Sequence, residues 1–209
     1  MGLQQRVSWL MVSAFLFFCL NAQANEDALY GPTAPAGSAF IRMVNLSAHD
    51  LTEISAGNEK FRSVGAFSGT AYKFMSPGNI TINATGLNKT VPLSGDHYYS
   101  FVIMDEGKTT LIEDLGKTDP RKALISLYNL SELPLISLKT SDGKIAVIDN
   151  VAPGSRQDRA INPVKLSLAI FTPASESKPL PAIVLEKSQV FSLFISGSGA
   201  QLVTLWIKQ

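Results

Sequence analysis

Two stretches of the chain carry side chains that could do chemistry. The first is "GDHYYS", residues 95–100, where Asp96 precedes His97 at the head of an alternating aromatic segment. An Asp-oriented imidazole can activate a nucleophilic serine. The rest of such a site is missing: His49 and His97 are the only histidines, and no G-x-S-x-G setting accompanies the pair. Gly95 and Asp96 are better read as the turn into a strand. The second stretch is "GSRQDRAINPVK", residues 154–165, which gathers Arg156, Arg159 and Lys165. Arginine forks fit planar carboxylates, including those of uronic-acid polymers, so these three are the candidate polysaccharide-binding residues. Asp158 partly offsets them, and a solvated surface cluster is the competing reading.

Other motifs are absent or local. The sequence holds no H-E-x-x-H, phosphate loop or dinucleotide fingerprint. "SGSG" at 196–199 reads as a hairpin turn. Asn45, Asn79, Asn83, Asn88 and Asn129 each open an N-x-S/T triplet, which matters only in a glycosylating host. The residues thus point to no catalytic group, no metal and no cofactor.

The elements that would position these residues are strands. Helical periodicity is nearly absent, and two-residue alternation is broken by Gly, Pro, Asn, Asp and Ser. In "VKLSLAIF", Val164, Leu166, Leu168 and Ile170 are expected on one face, with Lys165 and Ser167 on the other. The pattern is written twice. "FIRMVNLS" (40–47) aligns with "LISLYNLS" (124–131), "SPGNITINA" (76–84) with "NPVKLSLAI" (162–170), and "YSFVI" (99–103) with "FSLFI" (191–195), in the same order along the chain. Three collinear matches imply a duplication with loop insertions. The expected fold is all-β: two tandem antiparallel β-sandwiches, of about seven strands each. They span residues 39–114 and 123–209, joined by a linker at 115–122. Each half has its own alternating strands, so each is expected to form its own core with a small interface between them; one larger sandwich is the alternative.

Residues 1–24 have the form of a secretory signal. Arg6 precedes the apolar run "VSWLMVSAFLFFCL", and Ala22 and Ala24 make an A-x-A cleavage site. The run is too short to cross a bilayer core of about 30 Å. Phe18 before Cys19 argues against lipidation, and cleavage removes the one cysteine, leaving no disulfide. It also removes Arg6, so the 18 basic residues become 17, against 17 acidic. A balance near zero gives no general attraction to nucleic acid, and no transmembrane segment is expected after cleavage. Residues 25–38 then form a Pro/Gly-rich strap, stiff because proline fixes φ.

At "LYGPTAPAGSAFIRMVN", and again at "DHYY", "INPVKLSLA" and "SGSG", the sequence resembles the AlgF family of alginate O-acetylation proteins. The resemblance implies a periplasmic, noncatalytic accessory. Such a protein would work with the membrane acetyl carrier AlgI and the periplasmic acetyltransferases AlgJ and AlgX, which acetylate mannuronate residues during export. Tyr30, Pro32, Pro35 and Arg42 are then the expected partner-binding residues, the strap serving as a preordered docking element or as cover for a sheet edge. A module binding alginate directly through Arg156, Arg159 and Lys165 is the alternative.

Overall fold

The structure is a computed structural model and describes residues 33–116, 119–174, 177–198 and 201–209. The expected signal at 1–24, together with Tyr30 and Pro32 of the strap, lies outside the described residues. Among the described residues the elements are strands joined by turns, with 3-10 conformation at Asp105–Gly107 and at Gln201. The first half contains β1 (Ala39–Asn45), β2 (Ser55–Ala56), β3 (Glu59–Lys60), β4 (Ser68–Gly69), β5 (Lys73–Met75), β6 (Gly78–Ala84), β7 (Leu87–Leu93), β8 (Tyr98–Ile103) and β9 (Thr109–Asp114). The second contains β10 (Ala123–Ser131), β11 (Ile136–Thr140), β12 (Ala146–Val151), β13 (Ser155–Ile161), β14 (Val164–Leu166), β15 (Leu168–Phe171), β16 (Ser177–Pro179), β17 (Ile183–Leu185), β18 (Val190–Gly197) and β19 (Val203–Lys208).

Each half is a sandwich. In the first, the sheet β4-β1-β8-β9, with β5 also paired to β1, faces the sheet β3-β2-β6-β7. Ile41, Met43, Tyr99 and Phe101 of one layer meet Ile82, Val91 and Leu93 of the other. In the second, β13-β10-β18-β19 faces β12-β11-β15-β16 and the β14-β17 ribbon, with Ile125, Leu127, Phe191 and Leu193 packed on Ile136, Leu138, Leu168 and Ile170.

The internal repeat survives as matching register. β1 pairs β8 in parallel with Ile41 beside Tyr99 and Met43 beside Phe101; β10 pairs β18 in parallel with Ile125 beside Phe191 and Leu127 beside Leu193. The repeated "NLS" is a clasp. Asn45 Nδ2 donates to the carbonyls of His49, Val64 and Gly65, while its Oδ1 accepts from the Ser47 amide and hydroxyl. Asn129 does the same with Leu133, Val151 and Ser131. Both side chains are fully buried, so these two N-x-S triplets serve packing.

Two expectations are corrected. "VKLSLAIF" is not one strand: it breaks at Ser167, whose carbonyl accepts from the Ser141 amide, and Val164 stands exposed on the ribbon. The interface between the halves is also not small. The second faces of β1, β8, β10 and β18 are buried against each other: Val44, Leu46 and Val102 pack on Tyr128 and Phe194, with Ile112, Leu130, Leu205 and Ile207 around them. Parallel strand pairs buried on both faces read as near-continuous apolar runs, which "FIRMVN" and "LISLYN" are. The approach is close enough that a Cβ on Gly69 would collide with Ile207.

Candidate functional site

The polar residues that interrupt those apolar strands converge in the seam between the halves. Arg42, central on β1, has no exposed surface. Its Nε donates to Ser100 Oγ at 2.7 Å, and its Nη2 to Ser192 Oγ at 2.9 Å and Tyr128 Oη at 3.3 Å. Asp114, the last residue of β9, lies 3.6 Å from Nη2. Its Oδ2 accepts from the Ser100 and Tyr72 hydroxyls and its Oδ1 from the Tyr128 hydroxyl, each at 2.6 Å. The guanidinium also lies over the rings of Tyr72 (4.9 Å) and Phe194 (5.4 Å).

Local sequence places each member. Arg42 and Ser100 are register partners on the parallel pair β1–β8, so both project from the face opposite Ile41 and Phe101. Ser192 and Phe194 hold the matching positions on β18, and Tyr128 the one on β10. Tyr128 stacks on Phe194 at 4.1 Å. Burial, reinforced by the Asp114 charge, pushes both the Tyr72 and Tyr128 phenols well above their ordinary range, so they stay protonated donors.

Chemically this is a buried ion pair whose hydroxyls are already committed. Ser100 both donates to Asp114 and accepts from Arg42, which leaves it no role as an accessible nucleophile. What the arrangement does is fasten one half to the other: Arg42, Ser100 and Asp114 come from the first, Tyr128 and Ser192 from the second. A cleft of about 540 Å³ runs along its rim, lined by Tyr72, Tyr98, Leu115, Pro120, Val190 and Gln209.

The residues singled out from sequence fall elsewhere or into other roles. Arg42 cannot touch a partner, because it is enclosed in the seam. Pro35 is exposed. Arg156 and Arg159 form no common patch. Arg156 and Arg159 are three residues apart on β13, so they leave the sheet on opposite faces. Arg156 pairs with Asp158 at 3.0 Å and donates to the Glu113 carbonyl, bridging the seam. Arg159 donates to the Ala146 and Val147 carbonyls, and Lys165 is exposed on the β14-β17 ribbon. Asp96 does not orient His97. Its carboxylate accepts from the Gly37 amide in the turn, while His97 Nδ1 lies 2.9 Å from Glu113 Oε1.

Ser100, Asp114, Tyr72, Tyr128 and Ser192 were missed. One signal for two of them was on the page: aligning "YSFVI" with "FSLFI" stacks Ser100 on Ser192, a polar residue repeated inside two apolar strands.

Comparison with known proteins shows the family. The profile of the family described as "Alginate O-acetyl transferase AlgF" matches residues 13–192. The chain belongs to the AlgF family. The Alginate biosynthesis protein AlgF of Pseudomonas aeruginosa is 38% identical over 188 residues, covering 90% of this chain and 86% of that protein. The protein of the same name from Pseudomonas syringae pv. tomato is 38% identical over 189 residues, covering 90% and 84%. A solved structure of the C-terminal domain of AlgF from P. aeruginosa is 40% identical, with 43% of this chain and 99% of that one covered and a TM-score of 0.39. The resemblance seen in "LYGPTAPAGSAFIRMVN" is thereby met.

Proposed function

We propose that this AlgF-family chain is a noncatalytic accessory of alginate O-acetylation. It acts in the periplasm after removal of residues 1–24, as an adaptor between the membrane acetyl carrier AlgI and the acetyltransferases AlgJ and AlgX. Family membership supplies the setting. The observation that carries the adaptor reading is the fate of the hydroxyl and carboxyl groups suited to acyl transfer: Ser100, Ser192 and Asp114 are enclosed and spent on joining the two halves. The other acid–base pair, His97 with Glu113, is exposed on a strand flank. A body of two sandwiches joined by a buried seam offers surfaces, and surfaces are what an adaptor uses.

Co-purification from cells making the polymer tests the reading. Recovery of the full chain with an acetylation partner under mild conditions is expected; recovery alone would count against it. His97→Gln is expected to leave acetylation intact, and loss of acetylation by a folded His97→Gln protein would make the chain an enzyme.

A further inference from the structure

We propose that the end of the second sandwich at the start of β10 rests on an anionic lipid bilayer, with aliphatic side chains from a ribbon and a hairpin tip entering the headgroup layer. The proposal goes beyond the adaptor reading and does not depend on it.

Topology builds this end. Ala123, which opens β10, pairs with Ile161 at the close of β13, and Thr140 at the close of β11 pairs with Leu168 at the opening of β15. The β14-β17 ribbon lies between: β14 carries the chain from β13 in one layer to β15 in the other, and β17 carries it back from β16 to β18. Leu166, Ile183 and Leu185 pack on the sandwich core, so alternation turns Lys165 and Val184, register partners in the ribbon, to the outside. The tip of the β11–β12 hairpin stands beside the ribbon, because the Ser141 amide donates to the Ser167 carbonyl at 2.9 Å. Lys187 follows the ribbon, and the next amide, that of Ser188, donates to the Lys122 carbonyl at 2.9 Å.

Two kinds of side chain gather there. Ile145 on the hairpin tip is 62% exposed and Val184 on the ribbon 53%, the two highest values for large apolar residues among the described ones, and Val164 at the ribbon's end is 42% exposed. Around them the charge is one-sided. Asp119, Asp142 and Glu186 are each paired, with Arg121 at 3.0 Å, Lys144 at 3.7 Å and Lys208 at 3.0 Å. Lys122, Lys165 and Lys187 have no ion-pair partner among the described residues. The other described carboxylates of this sandwich do not oppose them: Glu132 follows β10 at its far end, Asp149 lies inside β12 on Ser137, and Asp158 belongs to Arg156. A chain with balanced charge thus keeps a local excess of cations beside its most exposed aliphatic side chains.

That composition selects a bilayer. Attachment to a lipid surface grows with the apolar area buried at the headgroup boundary and with the attraction of cations to anionic lipid. Lysine serves both terms, since its stem lies along apolar material while its ammonium stays at the headgroups. A protein partner selects differently: protein interfaces favour aromatic and arginine anchors and deplete lysine. Here the exposed apolar residues are aliphatic, they stand on separate elements, and the cations left free around them are lysines. A fluid surface accepts scattered aliphatic tips that no single pocket could receive together.

Co-sedimentation of the full mature chain with vesicles tests the site. Vesicles of phosphatidylcholine with about 30% phosphatidylglycerol should bind it at least about tenfold more tightly than vesicles of phosphatidylcholine alone. Lys165→Gln and Lys187→Gln should each weaken that binding by about fivefold. Ile145→Ser together with Val184→Ser should weaken it by about tenfold or more, and both positions are exposed, so the fold is retained. Ile145→Trp should keep the binding and add emission that moves to the blue with anionic vesicles, which contact through the lysines alone would not produce. Equal binding to both vesicle types, binding untouched by these substitutions, or no shift in Ile145→Trp overturns the proposal. So does a chain that ignores vesicles and binds polyglutamate through the same lysines, which would give this end to an acidic protein. Partner co-purification keeps the two readings apart. A chain that binds vesicles but retains no acetylation partner leaves this site without the adaptor, and one that retains a partner but ignores vesicles leaves the adaptor without this site.

Discussion

Arg42 and Ser192, separated by 150 positions in the chain, are 2.9 Å apart, and that hydrogen bond ties the first sandwich to the second. It belongs to a cluster in which one guanidinium and one carboxylate are shared among two serines and two tyrosines. A buried pair of this kind is costly to break from one side, because the remaining charge is stranded.

Arg42→Met should therefore lower stability by about 3–5 kcal/mol, read as a shift in the urea midpoint, since Asp114 keeps its charge and loses its cation. Arg42→Met with Asp114→Asn removes both charges and should cost clearly less than Arg42→Met alone. A single-variant loss below about 1 kcal/mol would show that the pair behaves as a surface ion pair.

The two phenols set the alkaline limit. Tyr72 and Tyr128 have folded pKa values raised above the ordinary value of 10.0, chiefly by burial and then by Asp114. Below pH 10 both states hold these protons and stability is unaffected. Above it the unfolded chain releases protons that the folded chain keeps, so stability falls as pH rises. Urea midpoints should be flat to about pH 9 and decline beyond about pH 10, with a shallower decline in Tyr128→Phe. An equal slope in that variant would remove Tyr128 from the account.

The "NLS" clasps should be equivalent. Each asparagine satisfies buried backbone groups that nothing else nearby replaces. Asn45→Ala and Asn129→Ala should each cost about 2–3 kcal/mol, while Asn88→Ala, on the exposed end of β7, should be nearly neutral. Thermal melts of the three variants side by side decide it.

Much of this fold was legible because alternation reports the face that meets the sandwich core. Ile41, Met43, Ile125 and Leu127 could be assigned from the repeat alone, and their burial follows. Alternation is blind to a second buried face. Arg42 occupies the slot that in a one-sided strand belongs to solvent, and nothing local distinguishes it, because its partners lie 58, 86 and 150 residues away. The same blindness grouped Arg156 with Arg159: nearness in sequence suggested a patch, whereas a spacing of three on a strand separates their directions.

The seam also predicts how the halves behave apart. A fragment of residues 25–116 would expose Val44, Leu46 and Val102, and one of residues 119–209 would expose Tyr128 and Phe194. Each retains its own sandwich core, so each should fold and show dispersed strand-type amide spectra. Mixed, they should associate one to one, since the buried apolar face and the Arg42 cluster are complementary only to each other. Arg42→Met in the first fragment should weaken that association by about a hundredfold, the equivalent of roughly 3 kcal/mol. Two soluble fragments that never associate would show that the covalent linker, and not the seam, holds the sandwiches together.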